Sequence, residues 1–237
     1  TGLVGWSTVG RPTAVLVIAF VPLYYLAAVT GQHEIVRTWA PAVFLVSVGG
    51  LRSLLGLIEG YIRTTAAMFW GLMLFVYGLS HAYLLLELPG STEPPVGPCG
   101  WLLFLILLTE TNDIMQAIIG RRLGKRRITP RVSPNKSLEG LLGGLSVTIV
   151  LAILTASTLT NWVHDRSSGQ WIIIAAIAGA LISLSGFLGD INMSGIKRDA
   201  GVKDGSTLLP GQGGMIDRID SLTFTAPVFY YFVRLLA

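Results

Sequence analysis

Asp217 and Asp220 stand three residues apart at the edge of an apolar run, so in a helix they share one face. Two carboxylates on one face form a hard oxygen site suited to Mg²⁺. Just before them lie Pro210 and glycines 211, 213 and 214, which let backbone N–H groups approach an anion closely, as phosphate-cradling turns do. Upstream come Lys197 and Arg198, then Lys203 and Asp204. The whole stretch from Gly189 to Asp220 holds five Asp and four Lys or Arg between two segments apolar enough to lie in a membrane. Ionisable groups at a bilayer boundary are costly to desolvate and are kept for ions, substrates or partners. Cations, a divalent-metal site and a close-approach backbone together point to a polyphosphate ligand.

A second basic stretch lies upstream, with seven of the chain's seventeen Lys and Arg residues between Arg121 and Lys136. Beside an apolar helix it reads as a cytoplasmic loop near anionic lipid, and nucleic-acid binding is not expected. Lys136 is the member expected to contact a phosphate. Arg121, Arg122, Arg126 and Arg127 read first as topology and lipid attraction. Immediately before this loop, Glu110 and Asp113 bring carboxylates down a helix toward the same surface.

These stretches resemble the phosphatidate cytidylyltransferase family, the CDP-diacylglycerol synthases. The resemblance rests on Ser194, Lys197-Arg198, Lys203-Asp204, Leu209-Pro210, Gly213-Gly214 and Asp217-Arg218-Ile219-Asp220, together with Asn112-Asp113 followed by Gln116, then Gly120 and Gly124-Lys125, and SPNKSLEGLLGG from Ser133 to Gly144. One position departs from the pattern: the family has His before the paired glycines, where this chain has Gln212, which hydrogen-bonds but carries no charge.

The resemblance implies transfer of CMP from CTP to phosphatidic acid, giving CDP-diacylglycerol and pyrophosphate. It implies an Mg²⁺ cofactor, with a monovalent cation such as K⁺ as a further expectation, and a homodimer. Under it, Asp217, Asp220, Asp204 and Lys203 are the expected catalytic residues. Substrate contacts fall to Lys136, Ser133, Asn135, Ser194, Lys197, Arg198, Gln212, Gly213, Gly214 and Arg218. Asp217, Asp220, Asp113 and Asp190 are the expected metal ligands. Two rivals are weighed. A CDP-alcohol phosphotransferase needs Asp-Gly followed by Ala-Arg and acids four apart, whereas Asp204-Gly205 is followed by Leu208-Leu209 and the last acids are three apart. A transporter of an anionic substrate remains the other alternative, weakened by the lack of an internal repeat.

Something must hold these loops at one surface, and composition says what. Hydrophobic residues make up 52% and charged residues 13% of the chain, with mean hydropathy +0.66, against roughly a quarter charged in soluble domains. The expected architecture is all-α, a polytopic transmembrane helical bundle in one integral-membrane domain, 1–237. About seven spans are expected near 13–30, 39–58, 65–86, 99–119, 138–160, 171–188 and 222–237, with motif loops at 120–137 and 189–220. The apolar run after Arg11 reads as a retained span rather than a signal peptide. Counting spans puts both motif loops on one side, with Arg11, Arg52 and Arg63, while Arg37 and Arg166 fall on the other. By the positive-inside rule that shared side is cytoplasmic, and a bacterial plasma membrane is the expected location. The single Cys99 excludes an intramolecular disulfide and is expected in the core; His81 is expected to be a packed or interfacial histidine rather than a metal ligand.

Overall fold

A computed structural model describes residues 10–88, 99–165, 169–202 and 219–236. The chain is a multi-pass helical membrane protein. Among the described residues five helices are long and apolar enough to cross a membrane: α1 (Arg11–Val29), α3 (Tyr61–Glu87), α4 (Gly100–Leu123), α5 (Leu138–Leu159) and α6 (Gln170–Asp199). Two shorter apolar helices are α2 (Ala40–Leu54) and α7 (Leu222–Leu236). Strands β1 (Arg127–Thr129) and β2 (Ser133–Ser137) pair antiparallel, with Arg127 opposite Ser137 and Thr129 opposite Ser133.

Contacts divide the chain into two compact units, Thr1–Ser80 and His81–Ala237. In the first, α1 and α2 are tied by Phe20 edge-on to Phe44, with ring centroids 4.5 Å apart. The second span, expected through residue 58, ends at Leu54. A turn follows in which buried Arg52 donates to the Leu57 carbonyl at 3.3 Å and lies 5.7 Å from the Tyr61 ring centroid. The guanidinium thereby satisfies carbonyls of the turn itself, those of Leu57 and Glu59.

The second unit is built on small residues. Along α5 the buried positions are Gly140, Gly144, Thr148, Ala152 and Ala156, one every fourth residue. Without a hydrophobic drive between helices in lipid, such a stripe lets backbones touch and gain dispersion contacts. A Cβ on Gly140 would lie 2.8 Å from the Gln116 carbonyl oxygen, and one on Gly144 would lie 2.4 Å from Gln116 Cγ. On the other side, Gly179 of α6 meets the Thr148 carbonyl and Ala152 with equal closeness. Large apolar residues point outward instead, among them Leu142, Val150 and Leu154, as lipid-facing positions should.

Two further expectations change. The motif stretch beginning at Gly189 is not a loop at its start, because α6 continues to Asp199. At 1.5 Å per residue it is about 45 Å long, more than the ~30 Å hydrocarbon thickness, so polarity after Leu188 marks the exit from the apolar layer rather than the helix end. The end is set by Gly201 at φ +69, with Gly201 N–H bonded to the Arg198 carbonyl and Val202 N–H to the Lys197 carbonyl, the paired bonds of a glycine-terminated helix. Cys99 is exposed at the start of α4 instead of lying in the core. His81 is buried, its ring 5.2 Å from that of Tyr230.

Candidate active site

The site is assembled on α4, whose buried face carries Leu108, Asn112, Gln116 and Gly120 in one stripe. Amide side chains so deep in a bundle must be hydrogen-bonded. Asn112 Oδ1 accepts from the Ser183 hydroxyl of α6 at 2.6 Å, from Gln116 Nε2 at 3.0 Å and from the Thr148 hydroxyl of α5 at 3.4 Å. Its Nδ2 donates to Asp113 Oδ1 at 3.4 Å. One amide thus joins three helices and orients the neighbouring carboxylate.

Asp113, partly buried, faces outward from that anchor into a charged cluster. It interacts electrostatically with Lys136, Asp190 and Asp220, and the buried Ser221 hydroxyl lies beside it. Four separate segments contribute: α4, β2, α6 and the entry to α7. Lys136 forms an ion pair with Asp190, its Nζ donates to Gln116 Oε1 at 3.4 Å, and it lies 5.8 Å from the Phe187 ring centroid. Side-chain exposure is only 16% for Lys136 and 25% for Asp190, so the pair is screened far less than a surface one.

Local structure explains each placement. Ser137 caps α5, its hydroxyl accepting from Gly140 N–H at 3.1 Å. Glu139 reaches back to accept the N–H groups of Lys125 and Arg126, at 2.9 and 3.1 Å through Oε2. Those two contacts pin the base of the hairpin, and Lys136, one residue before Ser137, is thereby aimed inward. Asp190 is placed by Gly189, where a Cβ would come within 3.0 Å of the Asp220 carbonyl oxygen. Asp220 in turn accepts the Ser221 N–H at 2.8 Å and, through its carbonyl, the Thr223 hydroxyl at 2.7 Å, fixing the start of α7.

The remaining expected residues fall into three groups. Ser194 is one turn below Asp190 on α6 and partly buried, as is Lys197, while Arg198 is exposed and its Nε donates to the Val132 carbonyl at 3.4 Å. Ser133 and Asn135 lie on β2; the Asn135 side chain is exposed and its carbonyl accepts from Arg127 at 2.9 Å. Lys203, Asp204, Gln212, Gly213, Gly214, Asp217 and Arg218 lie outside the described residues.

As to a metal, no three His, Cys, Asp or Glu side chains among the described residues are grouped to hold one. Asp190 is engaged by Lys136. The donor chemistry is nevertheless right for a hard divalent cation: Asp113 and Asp220 offer oxygen ligands within one electrostatic cluster. Asp217 is three residues from Asp220 in sequence. Asp113 and Asp220 are thus the described residues whose oxygen chemistry suits such a cation.

Sequence reasoning missed Thr148, Ser183 and the backbone role of Glu139. A signal existed for Ser183, which stands seven residues before Asp190 and so on the same helix face.

The chain is 46% identical over 215 residues to the uncharacterized protein YnbB of Escherichia coli K12, covering 90% of this chain and 68% of that one. It is 43% identical over 150 residues to the phosphatidate cytidylyltransferase of Haemophilus influenzae, covering 63% of this chain and 51% of that one. With the phosphatidate cytidylyltransferase of Synechocystis it shares 44% over 124 residues, 52% of this chain and 40% of that one. The chain thus spans about half the length of the phosphatidate cytidylyltransferases it matches. The model of the cytidylyltransferase family matches residues 6–236, almost the whole sequence, and the chain belongs to that family.

Proposed function

We propose that the chain is a phosphatidate cytidylyltransferase that transfers CMP from CTP to phosphatidic acid, with its site on the cytoplasmic side. The observation that carries the reading is the convergence of Asp113, Lys136, Asp190 and Asp220 from four segments, in a chain of the cytidylyltransferase family. Relatives of that name at 43% and 44% identity supply the substrate class.

In the reaction an oxygen of the lipid phosphate monoester attacks the α-phosphorus of CTP. The bond between the α-phosphorus and the oxygen bridging to the β-phosphorus breaks, and pyrophosphate leaves with those electrons. A phosphomonoester has a second pKa near ~6, so at neutral pH the nucleophile is already largely dianionic. No strong general base is required. The obstacle is bringing two anions together while a third departs, which calls for fixed positive charge and positioning.

Lys136 supplies such a charge from a preorganised mount, since Gln116 and Asp190 hold its ammonium before substrate arrives. Lys197 and Arg198, a further two turns along α6 from Asp190, are suited to phosphate contacts. Asp113 and Asp220, with Asp217, would hold Mg²⁺, which when bound withdraws charge from the phosphates. The positive-inside count supports a cytoplasmic site.

The test is incorporation of radiolabelled CTP into lipid by purified protein in micelles containing phosphatidic acid, with and without Mg²⁺. Label should appear in lipid only with both substrates and the metal. Full turnover by folded Asp113→Asn and Asp217→Asn variants would sink the assignment of the site.

A further inference from the structure

Between Arg121 and Arg131 six basic side chains, Arg121, Arg122, Lys125, Arg126, Arg127 and Arg131, are all exposed. They sit on the last turn of α4 and on the hairpin that follows, so the patch begins where an apolar helix ends. The proposed reaction uses none of them; it takes only Lys136 from this region, and Lys136 is turned inward against Asp190.

Among the described residues the Glu139 carboxylate lies near one member of the patch, Arg126. Glu139 directs its carboxylate at the backbone N–H groups of Lys125 and Arg126. Arg121 and Arg127 each place one guanidinium nitrogen on a backbone carbonyl, of Ala117 and Asn135, at 3.1 and 2.9 Å. Those bonds orient the guanidiniums while leaving their charge. Two large apolar side chains are interspersed with the cations and open to the outside, Leu123 at 63% and Ile128 at 36% exposure. Cations alternating with exposed aliphatic groups at the mouth of a span match the headgroup region, where phosphate and acyl boundary meet.

We propose that this helix end and hairpin form a binding surface for anionic phospholipid headgroups of the surrounding leaflet. Each basic residue near such a surface contributes roughly fivefold in local partition, and the attraction reaches about a Debye length, ~8 Å. A single nucleotide triphosphate is a poorer fit, because the cations are spread along a hairpin rather than gathered around one point. Nucleic acid would leave Leu123 and Ile128 unused. Because β2 carries Lys136 inward, a hairpin held on the leaflet also gives the site a fixed mount.

The experiment uses the full chain with Cys99→Ala, which removes the exposed native thiol, and Ile128→Cys bearing a fluorophore. The protein is placed in nanodiscs of phosphatidylcholine with or without phosphatidylglycerol, both containing a headgroup nitroxide quencher. Phosphatidylglycerol should raise quenching severalfold, and high salt should reverse it. The triple variant Arg122→Gln, Arg126→Gln, Arg131→Gln, whose side chains make none of the bonds above, should lose the response. The matching triple Lys variant should keep it. Equal quenching in both lipids overturns the proposal, as does a response that survives the Gln triple. A response to CTP in pure phosphatidylcholine that the lipid cannot produce assigns the patch to nucleotide and overturns it too. None of these readings depends on turnover, so the surface and the proposed reaction stand or fall separately.

Discussion

The Ser183 hydroxyl donates to Asn112 Oδ1 at 2.6 Å, joining α6 to α4 across 71 residues of sequence. Because Asn112 Oδ1 also takes Gln116 and Thr148, the two partners are unequal. Ser183→Ala removes one of three donors and should cost about 1 kcal/mol or less. Asn112→Ala strands three buried donors and frees the Asp113 carboxylate, so it should cost roughly 2–3 kcal/mol and most of the activity. Thermal unfolding in detergent, read beside turnover, checks the order. Equal losses would mean that Asn112 is not the hub.

Glycines of α5 offer a second contrast. Gly140→Ala places a methyl 2.8 Å from the Gln116 carbonyl oxygen and 3.0 Å from Gly120 Cα, neither of which can turn aside. For Gly143→Ala the nearest atoms all belong to the Ile119 side chain, with Cδ1 at 2.5 Å and Cγ2 at 2.8 Å, and the end of that chain can turn aside. Overpacking of about 1–3 kcal/mol is expected for the first and well under half of that for the second. Melting temperatures of the two variants decide the matter; similar shifts would show that α4 and α5 separate freely.

Lys136 and Asp190 form a partly buried pair, so the single changes should be worse than the double. Lys136→Met leaves Asp190 without its cation and should lower stability by roughly 1–2 kcal/mol, discounted for the residual exposure of both groups. Adding Asp190→Asn should return part of that stability while turnover remains reduced by about 10²-fold or more. A double variant whose stability loss equals the sum of the singles would remove the pair from the account of the site.

The acids and Lys136 were legible in the sequence because polar residues in an apolar chain are conspicuous, and their order along the spans brought Asp113, Asp190 and Asp220 to one side. What polarity hides is secondary structure beyond the apolar layer. Asp190 to Asp199 looks like loop by composition, yet the isolated Gly195 does not end the helix, which closes only at Gly201, the better signal. Hydroxyls were harder still. Thr148 and Ser183 are ordinary residues for a span, and only knowledge of which faces meet makes them ligands of Asn112. Burial of Cys99 was misjudged because an apolar side chain beside a helix start is as readily exposed to lipid as packed.

Glu139 gives the sharpest test of how the hairpin serves the site. It touches no charged group of the cluster, and its carboxylate accepts backbone N–H groups, its own and those of Lys125 and Arg126, with the Arg126 charge nearby. Glu139→Ala should therefore act on Lys136 at a distance. Amide exchange at residues 125 and 126 should accelerate, and turnover should fall about tenfold through a looser ammonium position. Glu139→Gln keeps one carbonyl oxygen for the same N–H groups, though with less negative charge, so it should recover part of both quantities. A purely structural role would lower stability without this graded, paired response. Normal turnover in Glu139→Ala, despite rapid exchange at 125 and 126, would show that Lys136 is held by Gln116 and Asp190 alone.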